Sequence, residues 1–113
     1  MNFAFGDICI VDFDPSVGHE YRKTRPAIVI QESSITKKSP ILVVLPISTK
    51  VDGMQVDNIL IEKDEKNNLN ADSAIKVQHI TGCDLSRIRG YLGSANSPVI
   101  RQVRGYLRRH FGL

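Results

Sequence analysis

The 113-residue sequence contains no run of 18 or more apolar residues, so nothing in it is long enough to cross a membrane as a helix. Met1 to Asp7 has neither a basic start nor a long apolar stretch, and no secretory leader is expected. Cysteine is scarce: Cys9 and Cys83 are too far apart for a zinc or Cys-x-x-Cys pattern. They read as reduced thiols of a cytoplasmic protein rather than as a disulfide. The three histidines and twelve acidic residues form no metal-spaced cluster, so neither a metal nor another cofactor is expected. Repeats, low-complexity tracts and linkers are also missing, and the length fits a single domain over residues 1–113.

Acidic residues nearly vanish from the last third. Residues 76–113 hold seven Lys/Arg against one acid, Asp84, a net of +6, whereas residues 1–75 hold eight against eleven, a net of −3. Such a basic segment suits a polyanionic or acidic partner, or is simply a solvated helix face. A chain this short buries only about two-thirds of its unfolded surface, so a dimer interface would add to its stability.

What is present reads as strands. Ile8–Phe13 is a β-rich run closed by the turn signal Asp14-Pro15. Residues 14–24 read as a long polar loop, Arg25–Gln31 as a second strand and Glu32–Ser39 as another polar loop. Ile41–Thr49 is a third strand, Asp57–Lys63 a fourth, and Ser73–Ile80 a fifth after the Asn-rich turn Lys66–Asp72; Arg89–Leu92 is a short sixth. The chain then becomes helical, with Ser97 expected as N-cap, Pro98 in the first turn and Gly112 as the stop. Ile100, Val103, Leu107 and Phe111 fall on one helix face, and Arg101, Arg104 and Arg108 form a separate basic stripe. Short strands without crossover helices, ending in one helix, predict a mainly β fold: a small antiparallel barrel with a C-terminal α-helix.

The run Gly6-Asp7-Ile8-Cys9-Ile10-Val11-Asp12-Phe13-Asp14-Pro15-Ser16-Val17-Gly18-His19-Glu20, followed by Thr24-Arg25-Pro26-Ala27-Ile28-Val29-Ile30, resembles the N-terminal signature of the MazF/PemK family of toxin ribonucleases. The likeness extends to Pro46-Ile47-Ser48-Thr49 and, more weakly, through Asp72–Ile80. It implies an SH3-like barrel, a homodimer, metal-independent cleavage of single-stranded RNA, and inhibition by a cognate antitoxin with an acidic, disordered segment.

In RNA the 2′-hydroxyl can attack the adjacent phosphorus and expel the 5′-oxygen, leaving a 2′,3′-cyclic phosphate. A protein needs only to orient that attack, stabilise the crowded phosphate charge and move protons. Arg25, made extended by Pro26, carries a planar guanidinium suited to a phosphate, and the family's catalytic arginine falls on it; otherwise it is a surface ion-pair partner. Ser48 occupies the position of the family's catalytic hydroxyl. Alternation sends Ser48 and Thr49 to opposite faces unless Pro46 shifts the parity, so the choice between them stays open. His19 and Glu20 supply acid–base chemistry, or no more than loop hydrogen bonds. Tyr21, Arg22 and Lys23 put an aromatic beside two cations, suited to stacking a base and tracking a backbone. Lys76 and Gln78 fall where relatives such as Kid carry an arginine and an aspartate; Lys76 can still hold a phosphate, but Gln78 cannot act as a base. His79 is either an RNA contact or a strand-surface residue. Gly6-Asp7 and Asp12 read as turn and barrel-closing residues.

Two other readings remain. One is a gyrase-binding toxin resembling CcdB, whose chains share the fold and end in a motif partly matched by Phe111-Gly112-Leu113. The other is a catalytically dead interaction module that binds the antitoxin and cuts nothing.

Overall fold

The computed structural model describes residues 2–13, 24–49 and 58–113. In chain order it has β1 (Asp7–Asp12), β2 (Thr24–Val29), the single-turn helix α1 (Ser33–Thr36), β3 (Ile41–Ser48), β4 (Ile59–Ile61), β5 (Ser73–Ile75), β6 (Thr81–Asp84), β7 (Ile88–Ser94) and the helix α2 (Ser97–Phe111). The strands pair antiparallel in the order β4-β5-β3-β2-β1-β7, and β6 lies beside the first half of β3. Among the described residues β4 and β7 stay at opposite ends of this order, so the sheet there curls like a barrel without closing.

Alternation along the strands gives the sheet two apolar faces. Ile8, Ile28, Leu45, Ile47 and Ile75 pack with Val99, Val103 and Tyr106 of α2 in one core. Cys9, Val11, Ala27, Val29, Leu42 and Val44 point the other way and pack with Phe3, Phe13 and Cys83 in a second. Because both faces are covered, β3 reads as an almost continuous apolar run rather than an alternating one.

Several expected elements are shifted. The fifth strand ends at Ile75 rather than Ile80, the chain turns with His79 N–H donating to the Lys76 carbonyl at 3.1 Å, and Thr81–Asp84 forms its own strand. The strand expected over Arg89–Leu92 is therefore the seventh, and longer. The N-cap of α2 is Asn96, not Ser97: its side chain accepts from Val99 N–H, while Gly112 closes the helix at φ 70°. The buried helix face is Val99, Val103 and Tyr106; Ile100 and Leu107 are half-buried beside it, and Phe111 is 57% exposed. The basic stripe is solvent-facing as expected, with Arg104 lying over the Phe5 ring at 3.9 Å.

The Asn-rich connection before β5 is built by side chains. Asp64 accepts from the N–H groups of Lys66 and Asn67, and the Asn67 amide spans Asp64, Leu69 and Glu62. Asn68 adopts the left-handed conformation that asparagine tolerates, and its amide donates to the Leu92 carbonyl. This loop thereby docks on β7, where it helps to shape the site.

Candidate active site

Strand register, rather than sequence proximity, assembles the site. Val11 of β1 lies opposite Arg25 of β2. β2 and β3 pair Ala27 with Pro46 and Ile28 with Leu45. Continuing that register by two residues sets Arg25 across from Ser48, and Ser48 is in turn paired with Ala74 of β5. The row Val11, Arg25, Ser48, Ala74 thus crosses four strands with its side chains on one face. Directly opposed residues of an antiparallel pair have Cβ atoms about 4.5–5.5 Å apart, close enough for a guanidinium and a hydroxyl to hold the same phosphate.

The neighbouring row carries Lys76. Its backbone N–H donates to the Pro46 carbonyl at 2.9 Å. Ile75 and Val77 on either side of it both enter the α2-side core, so Lys76 projects to the face of Arg25 and Ser48. Lys76 is 8% exposed and Ser48 6%, so both belong to a shielded part of this face.

Thr49 follows on the opposite face and is exposed. At the strand ends it nevertheless shares with Arg25, Pro26 and Ile47 a cleft of about 130 Å³ whose far wall is Leu69, Asn70, Ala71 and Ser73, and Ser48 does not line that cleft. The β2 pairing reaches Pro46 and the β5 pairing takes up at Ile47 and Ser48, so the alternation that separates Ser48 from Thr49 carries past the proline. Asn70 and Ser73 were not singled out in the sequence; the Asn-rich turn signalled a loop there, but nothing linked that loop to Arg25.

The other sequence candidates separate. His19, Glu20, Tyr21, Arg22 and Lys23 lie outside the described residues. Gln78 is exposed and lines a different recess, with Tyr106, Arg109 and His110 at the C-terminal end of α2. His79 is half-buried in the turn after β5, its carbonyl accepting from the Thr81 hydroxyl at 2.8 Å. Asp12 pairs with Arg89 at 2.8 Å and joins the ends of β1 and β7, while the Asp7 carboxylate and N–H both bond Ala4 and fix the turn before β1.

The thiols are free, buried and far from nucleophilic. Burial pushes Cys9 up to about 12 and Cys83 up to about 11, with nearby Cys83 and Asp7 adding to the first and Asp84 to the second. Asp84 itself is held below the usual carboxylate range by the Ser86 backbone N–H it accepts from, the cap of a short 3-10 turn.

The fold is that of the MazF toxins. A MazF crystal structure from Deinococcus radiodurans superposes with a TM-score of 0.81 at 21% identity, covering 100% of this chain and 99% of that one. A MazE–MazF structure from the same organism superposes at 0.77 with 17% identity, covering 100% and 98%. An "Endoribonuclease MazF" from Staphylococcus saprophyticus is 28% identical over 109 residues, 96% of this chain and 90% of that protein. Residues 4–111 match the family described as PemK-like, MazF-like toxin of type II toxin-antitoxin system, and the chain belongs to that family.

Proposed function

We infer that this protein is a toxin endoribonuclease that cuts single-stranded RNA as a homodimer and is restrained by a cognate antitoxin. What supports this reading is the β2–β3 register, which, carried two residues past the Ala27–Pro46 pair, brings Arg25 across from Ser48. Family membership favours it over the gyrase-binding alternative, and the Arg25–Ser48 pair favours it over an inert module.

The chemistry asks little of the protein because the substrate carries its own nucleophile. Arg25 grips two phosphate oxygens with its planar fork and offsets the charge that builds as the ribose 2′-oxygen bonds to phosphorus. The Ser48 hydroxyl donates to a phosphate oxygen from the facing strand. Lys76, one row away, adds positive charge to the same face. The P–O5′ bond breaks as the new P–O2′ bond completes, so the products are a 2′,3′-cyclic phosphate and a 5′-hydroxyl. Two protons must move, one from the 2′-hydroxyl and one to the leaving 5′-oxygen; His19 and Glu20 are the candidate carriers. Arginine stays protonated throughout and serves as the charge partner. An antitoxin contributing an acidic disordered segment would inhibit by occupying the cationic face in place of phosphates.

End-labelled single-stranded RNA incubated with the protein in EDTA provides the test. Fragments carrying 2′,3′-cyclic phosphate and 5′-hydroxyl ends are expected, and they should be lost in Ser48→Ala with the dimer mass retained. Uncut RNA, or 5′-phosphate ends, would refute the mechanism.

A further inference from the structure

Among the described residues β4 ends the strand order and bonds to β5 alone, which leaves its outer edge without a strand partner. Leu60, in the middle of that edge strand, is 62% exposed. Two recesses of about 620 and 660 Å³ lie between β4 and α2, and Pro98 and Gln102 line both. The first is completed by Asn58, Ile59, Arg101 and Arg109, the second by Leu60, Glu62, Asp72 and Asn96. The early part of β4 thus faces the late part of α2 and the late part of β4 its start, so strand and helix run antiparallel along one groove. Among the described residues the first recess is lined by no acid and the second by no lysine or arginine. The groove is cationic toward the C-terminal end of α2, acidic toward its N-terminal end, and apolar or neutral between.

We propose that a second copy of this chain docks on the β4–α2 groove about a two-fold axis through its middle. The proposal rests on the homodimer of the reading above and says where its interface lies. A two-fold contact is self-complementary: if one residue meets another across the axis, the reverse contact forms as well. A half-turn lays the Arg101–Arg109 end of one copy on the Glu62–Asp72 end of the other, and both ends are matched at once. The order of charges also selects the occupant. An RNA strand or an acidic peptide filling the groove would be attracted by the arginines and repelled by the two carboxylates. A second copy supplies both signs in the required order. It also covers Leu60 and the open strand edge, which a soluble chain gains by protecting. The contact bears on the candidate active site through the strand register. Leu60 and Ser48 are both partners of Ala74, so Leu60 ends the row of Arg25 and Ser48, two strands or roughly 10 Å from the serine. Docking over Leu60 bounds that row with the partner's surface.

Two charge reversals test the axis. Arg101→Glu sets an acid against the partner's acidic end, and Glu62→Lys a base against its basic end, each twice by symmetry. Either variant alone should dissociate roughly thirtyfold more readily than the parent. Mixed in equal amounts, the two should form a heterodimer of near-parental affinity, because the altered residue of each then faces the altered residue of the other; native mass spectrometry resolves it from either homodimer. Leu60→Asp changes a side chain that is already 62% exposed, so its circular dichroism should match the parent's while light scattering gives the monomer mass. Dimer mass retained by all three variants would overturn the proposal, as would a mixture of the two charge variants that restores no dimer. Loss of RNA or acidic-peptide binding with the dimer intact would assign the groove to that occupant and overturn it too. If the unaltered protein is itself a monomer, the homodimer reading fails and takes the interface with it. If it is a dimer that these substitutions leave whole, the interface alone is wrong, whatever RNA cleavage shows.

Discussion

Replacing Gly93 with alanine should destabilise the protein and disturb its cleft together. Gly93 lies in β7 with the docked loop pressed against its α-carbon: a Cβ there would overlap the Lys66 carbonyl oxygen and come within 2.9 Å of the Asn67 carbonyl carbon and oxygen. These are backbone atoms, and Asn67, only 1% exposed and tied to three other residues, cannot swing aside cheaply. Overpacking of this kind costs about 1–3 kcal/mol. Separating the strands also strains the Ser94 N–H bond to the Lys66 carbonyl at 3.0 Å and the Asn68 amide bond to Leu92 at 2.9 Å, each worth about 1 kcal/mol. A loss of about 3 kcal/mol is expected, a large share of the 5–15 kcal/mol typical of a domain, with Tm falling by roughly 10–15 °C. Because the same loop supplies Leu69, Asn70 and Ala71 to the wall beside Arg25 and Thr49, kcat/KM should fall as well, measured well below the new Tm. Calorimetry and urea titration read the first effect and RNA cleavage the second. A variant that melts within 2 °C of the parent would refute the account of the docked loop, and normal cleavage by a destabilised variant would refute its link to the site.

Arg25→Ala should lower kcat/KM by about 10²–10³, the usual loss for one preorganised charge donor, and Arg25→Lys should recover only part of it because the bidentate fork is gone; single-turnover cleavage with circular dichroism as the fold control decides. Asn96→Ala should cost about 1 kcal/mol in urea titration, and Ser97→Ala only a few tenths, since Asn96 is the residue that caps α2. The thiols set an alkaline limit. Native Cys9 and Cys83 hold their protons to about 12 and about 11, against 9.0 for the free group, so above pH 9 the unfolded chain binds fewer protons and stability falls with rising pH. Each thiol contributes a slope approaching roughly 1.4 kcal/mol per pH unit until its native value is reached; Cys9→Ala should flatten the decline between pH 9 and 10.5 in urea titrations, and an unchanged slope would count against thiol burial as its source.

The sequence pattern was most informative where one physical signal dominated. β1, β2 and β3 follow from β-rich runs bounded by turn residues, and α2 from its period, Pro98 and Gly112. The helix face was misplaced by about one residue because Ile100, Leu107 and Phe111 are apolar enough to suggest a stripe, yet Tyr106 and Val99 pack more deeply. β6 escaped because Thr81-Gly82-Cys83-Asp84 is short and contains a glycine, and because the turn before it has neither glycine nor proline. α1 was hidden in a polar loop: a single turn with no side-chain cap has little sequence signature. Of the site, the identities of Arg25, Ser48, Thr49 and Lys76 were accessible, but their relative placement was not. That depends on the register between β2 and β3, which no local pattern encodes.

Pro46 links much of that placement. Its carbonyl faces β5, since it accepts from Lys76 N–H. In a hydrogen-bonded antiparallel pair the partner residue would donate back, and proline has no N–H to give. The Lys76 carbonyl is thus released from the ladder, and it is this carbonyl that His79 N–H bonds to make the turn. One missing donor ends β5, starts the turn that leads into β6, and leaves the Lys76 side chain on the face of Arg25. The other edge of Pro46 meets Ala27 without disturbing the register, so Arg25 and Ser48 still come into line two residues further on. A proline that would weaken the interior of an ordinary sheet is tolerated here because the strand beside it stops. The candidate site lies where that ladder ends, at the boundary between the second core and solvent, where cationic and hydroxyl side chains replace the apolar residues of the rows behind them.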